Sequence, residues 1–292
     1  MTSIQLPFSP EQWSQTPTAI QQFVVSLAAD RVDAVKAAEI LTSVTQDTAS
    51  SQAPFSTEEW SQTPEGIRLF VLSWIAERLR IIRAAMAVAR QPRTPRHVVF
   101  ISDLPRSREV KLAYGLSQAG WQVTLLYKEL PTFDATRYFA DSQQYQEPWE
   151  ALKLAACYTP VAYHVFSNWN FNVAATLIRY KPGKIVFDDY DVMAGVVKDD
   201  FLHKNYPGQL ELERSCLENA DGLCCRGLEL QYAKRHLNYN PPIVSFFFRS
   251  TVGILTHKYH PPLMQRMMVF TSSIAAISPL KSTILKTHMH IT

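Results

Sequence analysis

From Arg96 onward the chain alternates short apolar runs with helical segments joined by a few residues, and this rhythm restricts the fold more than any other feature. His97-Val98-Val99-Phe100-Ile101-Ser102 opens it. An unbroken apolar run of that length has no polar face to offer water, as in parallel strands covered on both sides. A helix is expected over Arg106 to Gln118, stopped by Gly120, and then a strand over Gln122 to Tyr127. The alternation continues with a helix over Glu150 to Tyr158, a strand over Val161 to Phe166, a helix over Asn172 to Tyr180 and a strand over Lys184 to Phe187. A helix over Leu210 to Asn219, a strand over Gly222 to Cys225, a helix over Leu228 to Leu237 and a strand over Ile243 to Phe247 complete it. Regular alternation with short links implies the α/β class, with a Rossmann-like doubly wound parallel sheet.

The segment before Arg96 follows a different rule. Pro7-Phe8-Ser9-Pro10-Glu11-Gln12-Trp13-Ser14-Gln15-Thr16-Pro17 returns as Pro54-Phe55-Ser56-Thr57-Glu58-Glu59-Trp60-Ser61-Gln62-Thr63-Pro64, differing only at Pro10/Thr57 and Gln12/Glu59. Each copy closes on Thr-Pro, which suits a capping hydroxyl followed by proline in the first helical position. A helix is therefore expected after each copy. Ile20, Phe23, Val24, Leu27, Ala28 and Val35 form one apolar stripe at three- and four-residue steps, and Ile67, Phe70, Val71, Trp74, Ile75, Leu79 and Ile82 form another on a helix reaching about Ala89. Such stripes must be covered, either by folding on each other or by the same helices of a second chain, which would make residues 17–89 a homo-oligomer contact. The copies are similar to short Trp-x-x-Thr-Pro helical leaders that precede unrelated bacterial catalytic domains, some transposases among them. Linkers at 45–53 and 91–95, rich in Ser, Thr, Gln and Pro, bound this region, giving expected divisions of 1–92, 96–248 and 249–292.

Composition removes several classes. The formal charge of +3 is spread without dense basic tracts, so nucleic acid is not an expected partner. No apolar run approaches the roughly 20 residues of a bilayer span, and Met1 to Pro10 lacks the pattern of a signal peptide, so a cytoplasmic protein is expected. Cys157, Cys216, Cys224 and Cys225 show no metal-ligand spacing and read as buried free thiols, with Cys224 and Cys225 on opposite strand faces. His288 and His290 lack a carboxylate or thiol partner nearby in sequence, so no metal is expected. The absence of GxGxxG argues against an NAD or FAD site, and no cofactor is assigned.

Ligands of doubly wound sheets sit outside the carboxyl ends of the strands. The candidates there are Ser102, Asp103 and Arg106 after the first strand, Asn168, Trp169 and Asn170 after the strand at Val161, Asp188, Asp189 and Asp191 after the strand at Lys184, and Arg226 after Gly222 to Cys225. Carboxylates can orient sugar hydroxyls, and amides beside an aromatic face suit carbohydrate. Arg106 and Arg108 at a helix start could meet an anion. His164, inside an apolar strand, reads as a core histidine.

The order of the pieces resembles the N-terminal, acceptor-side domain of GT-B glycosyltransferases that use nucleotide-sugar donors. The resemblance rests on Arg96 to Ser102, on the block Leu112 to Leu126 with Gly115, Ala119-Gly120-Trp121 and Val123, on Phe187-Asp188-Asp189-Tyr190-Asp191, and on the step from Glu213-Arg214 through Asn219-Ala220-Asp221-Gly222-Leu223 to Arg226. It implies sugar transfer from a nucleotide-sugar to an acceptor held at the strand-end residues named above. It also implies a mechanism of positioning and of stabilising a departing diphosphate. Two departures accompany it: Asp103-Leu104-Pro105-Arg106-Ser107 stands where the family often has a glycine-rich turn, and about 45 residues follow Phe248 where the family's donor-binding domain would stand. The expectation is a chain truncated before that domain and a poor catalyst alone, with Arg249 to Thr292 loosely packed and cut early by proteases near Arg249, Lys258 or Arg266. The alternative is a non-catalytic interaction protein whose repeated helices do the work.

Overall fold

The computed structural model describes residues 7–29, 32–46, 53–167, 170–189, 192–193, 204, 206–225, 235 and 243–245. The helix expected over Leu228 to Leu237, apart from Arg235, and the segment Arg249 to Thr292 lie outside the described residues. The chain divides into two compact units, Met1–Ala84 and Ala85–Thr292.

In the first unit each repeat copy contains a short helix of its own, α1 (Pro10–Ser14) and α4 (Thr57–Gln62). Two local devices set them. Ser9 and Ser56 are N-caps whose hydroxyls accept from Gln12 and Glu59 N–H, while the Gln12 and Glu59 side chains accept from the cap backbone. This is the reciprocal capping box, and it satisfies two otherwise orphaned donors. Phe8 and Phe55, just before the caps, stack on Trp13 and Trp60 four residues into each helix, with centroids 6.0 and 5.8 Å apart. That contact is a hydrophobic staple. The conserved Thr-Pro ending works otherwise than the sequence suggested: Thr16 and Thr63 hydroxyls donate backward to the carbonyls of Gln12 and Glu59. The proline carbonyls, Pro17 and Pro64, accept the first N–H groups of the next helices. The threonine sits where a helix ends, so its nearest acceptor is the last turn behind it.

Those next helices are α2 (Thr18–Ala28) and α5 (Glu65–Ala89), with α3 (Ala34–Thr45) between, capped by Asp33. Phe23 of α2 packs edge-on against Phe55 at 5.2 Å, and Phe70 of α5 against Phe8 at 5.1 Å. Phe23 and Phe70 are equivalent positions of the repeat, so the phenylalanine before each copy's cap packs on the helix that follows the other copy. Ile20, Phe23, Val24 and Leu27 are buried, as are Ile67, Val71, Trp74 and Ile75. Burying such side chains stabilises by about 1.5–3 kcal/mol each, so covering the two stripes within one chain is strongly favoured.

The second unit is a seven-stranded sheet in the order β3-β2-β1-β4-β5-β6-β7, parallel at every pairing. Its strands are β1 (His97–Ser102), β2 (Gln122–Tyr127), β3 (Asp141–Gln144), β4 (Ala162–Ser167), β5 (Ile185–Asp189), β6 (Gly222–Cys225) and β7 (Ile243–Ser245). Helices α6 (Ser107–Gln118), α7 (Pro148–Ala155), α8 (Asn172–Tyr180) and α9 (Gln209–Asn219) connect them. The Rossmann-like doubly wound class expected from the sequence is the one found. Gly120, at φ +77°, ends α6 in the left-handed region that only glycine enters without strain.

The strand missing from the sequence reading is β3, whose Asp-Ser-Gln-Gln carries no apolar signal. It exists because the open edge of β2 offers unpaired backbone groups, and a polar edge strand resists pairing with other chains. Below the β1–β2 half, Val98, Phe100, Leu112, Ala113, Leu116, Val123, Leu125, Phe139 and Phe166 form one core between α6 and the sheet.

Candidate functional site

The strand order reverses between β1 and β4, the point at which loops diverge and a crevice forms outside the carboxyl ends. Register sets what gathers there. Ser102 lies opposite Phe166, Phe166 opposite Asp188, and Asp188 opposite Cys224, so these four form one row across the sheet. His164, two residues back along β4, shares their face.

Along the first loop the polar groups are tied together. Glu109, in the first turn of α6, accepts from the Ser102 hydroxyl at 2.8 Å and from the Arg106 backbone N–H at 2.9 Å. Burial pushes its carboxyl above the ordinary range, against the pull of those two donors. Asp103 accepts from the buried Tyr145 hydroxyl at 2.8 Å, and burial also raises its carboxyl. Ser102 is fully buried, Asp103 half-buried and Arg106 exposed. On the β4 side, Asn170 accepts from the Asn172 backbone and side-chain N–H groups, at 3.3 and 2.8 Å.

Beneath these loops is a charged cluster. Asp188, with no exposed side-chain surface, is held by Arg108 through Nη2 and by His164 Nε2 at 3.0 Å. The Arg108 Nη2 also lies 3.8 Å from Cys224 Sγ, and its guanidinium is 6.0 Å from the Phe166 ring centre. His164 stacks on Phe166 with centroids 4.4 Å apart and rings 5° from parallel. Burial, reinforced by the Arg108 charge, holds the imidazole down to about 3, so it is neutral and its Nε2–H donates to Asp188. Its Nδ1 then points an acceptor lone pair at no hydrogen-bond partner among the described residues. Burial pushes the Cys224 thiol up to about 12, opposed by Arg108.

Of the residues singled out in sequence, Ser102, Asp103, Arg106 and Asn170 stand at strand ends, and Asp188 and Asp189 are buried at the end of β5 on opposite faces. Asn168, Trp169, Asp191 and Arg226 lie outside the described residues. Arg108 is engaged inward with Asp188 rather than outward. Cys157 is exposed, contrary to the expectation of four buried thiols, because it sits in the turn that ends α7; the other three are buried. Glu109, Tyr145 and the place of Cys224 in the cluster were missed. For Glu109 a signal existed: a glutamate three residues after the position preceding a helix is a capping-box mark.

No described helix is long and apolar enough to cross a membrane. No family model and no curated protein matches the chain. A solved structure of a sucrose-phosphate synthase from Thermosynechococcus elongatus is similar over 62% of this chain and 98% of that one, at 11% identity and a TM-score of 0.39, a likeness too loose to carry fold or function across.

Proposed function

We propose that the unit Ala85–Thr292 is the acceptor side of a glycosyltransferase, binding a polyhydroxylated acceptor outside the carboxyl ends of β1, β4 and β5 for transfer from a nucleotide-sugar. The observation that supports the reading is Asp103, half-buried at the β1 end of the switch point and fixed by the Tyr145 hydroxyl, whose carboxylate would accept from a sugar hydroxyl. Arg106 and Asn170, from neighbouring strand ends, would add a cation and an amide. In saturation-transfer experiments the purified full-length protein should bind one of a panel of sugar acceptors, and Asp103→Asn should weaken that binding. If no saturation transfer from any sugar ligand is seen with folded protein, the reading fails.

A second reading, self-association through the repeated helices, is favoured by Leu69 and Leu72 on α5, which are 55% and 48% exposed although the buried stripe is already covered. Sedimentation at rising concentration checks it, with loss of association in Leu69→Lys/Leu72→Lys as the expected result.

A further inference from the structure

We propose that His164, Asp188 and Cys224 form a binding site for a borderline-soft divalent cation of the zinc class, and that the Arg108 guanidinium is the competitor holding the site in its metal-free form. One ligand atom from each of the three residues lies within 4.8 Å of the other two, and all three residues are buried. The set of imidazole, thiol and carboxylate suits zinc, and three protein donors would leave a fourth coordination position open. In a tetrahedral zinc site donors are about 3.3–3.8 Å apart, from metal–nitrogen and metal–sulfur bonds of about 2.0–2.3 Å. A contraction of about 1 Å therefore closes the set, a shift within side-chain rotation on adjacent strands.

Charge explains why the pocket could hold either cation. A carboxylate with no exposed surface requires a positive partner. In the present form Arg108 supplies it, and the two opposite charges sum to zero. In the metal form the Cys224 proton is released to solvent, and a divalent ion with one thiolate and one carboxylate again sums to zero. The imidazole stays neutral and coordinates through one nitrogen while the other carries the proton. Arg108 is the member with a route out: it stands in the first turn of α6 and is 16% exposed, against 2% for His164 and 0% for Asp188. The Nδ1 without a partner among the described residues shows that the imidazole's hydrogen bonding is incomplete in the present form. None of this uses Asp103, Arg106 or Asn170, on which the acceptor reading rests, so the two proposals stand or fall separately.

The test is anaerobic cobalt(II) titration of full-length Cys157→Ser protein, which removes the exposed thiol, followed by zinc displacement. The expected result is a near-ultraviolet thiolate-to-cobalt charge-transfer band that saturates at one ion per chain, disappears on zinc addition and is absent when Cys224→Ser is added. Histidine-only binding elsewhere gives no such band. Adding Arg108→Ala instead should lower the half-saturating cobalt concentration at least about tenfold, the release of a resident competitor. Absence of the band at millimolar cobalt in protein with native circular dichroism, or its persistence in the Cys224→Ser variant, overturns the site. Unchanged or weaker cobalt binding by folded Arg108→Ala protein overturns the role of Arg108.

Discussion

Replacing Arg108 with Met removes the cation from Asp188 while keeping most of the side chain's volume. Breaking a buried pair by deleting one partner costs about 3–5 kcal/mol, because the other charge is left without water or counter-ion. Asp188 meets that condition fully, since none of its side chain reaches solvent. One relief is open to it: His164, otherwise held neutral partly by Arg108, can take up a proton. At pH 7.5 that uptake costs an ordinary imidazole only about 1.4 kcal/mol, which places the expected loss at the lower end, about 3 kcal/mol. The reverse change, Asp188→Asn, should cost less, about 2 kcal/mol, because the 16%-exposed guanidinium can turn toward water and the amide oxygen still accepts from His164. Urea unfolding of both single variants and the double variant gives the coupling energy, expected to exceed about 1.5 kcal/mol because the double variant leaves neither charge stranded. The Arg108→Met loss should also shrink as pH falls, by up to about 1.4 kcal/mol per unit, since its folded state holds one proton that the wild-type fold does not. Costs that add within about 0.5 kcal/mol, or an Asp188→Asn loss larger than that of Arg108→Met, would refute the account.

Three further outcomes are expected. Ser56→Ala removes the hydroxyl of a capping box and should lower the stability of the helical unit by about 1 kcal/mol in thermal or urea unfolding, with Ser56→Gly milder. Phe100→Ala, in the core beneath α6 and in edge contact with Phe139, Phe166 and His164, should cost about 3–5 kcal/mol in urea unfolding of the α/β unit. Glu109 carries a raised carboxyl, so its folded form binds a proton more readily than its unfolded form. Wild-type stability should accordingly fall as pH rises from about 4.5 through the raised value, and this part of the urea-midpoint profile should flatten in Glu109→Gln.

Local chemistry made much of this fold readable. The strands at His97–Ser102, Gln122–Tyr127 and Gly222–Cys225 and the helix at Asn172–Tyr180 stand where apolar runs and periodicity placed them, because a parallel strand buried on both faces must be apolar throughout. The short helices inside the two repeat copies went unread although their signal was local: Phe-Ser-x-x-Gln/Glu-Trp holds a capping box and a staple within six residues, needing no distant partner. The edge strand Asp141–Gln144 was invisible because its only reason to exist is the neighbouring backbone of β2.

The charged cluster was equally beyond sequence. Arg108 and Asp188 are 80 residues apart, His164 and Asp188 24, and Arg108 and Cys224 116. Spacing along the chain therefore said that no thiol had a metal-type neighbour. What joins them is the register of three adjacent parallel strands, which puts Phe166, Asp188 and Cys224 in one row, with α6 laying Arg108 across the same face. That register is fixed by crossover connections and helix packing acting over the whole sheet, and no local pattern of residues encodes it. Sequence alone determined the apolar strands and the amphipathic helices; the tertiary structure decided the polar edge strand and which polar side chains share a face, and so where charge is buried and chemistry can occur.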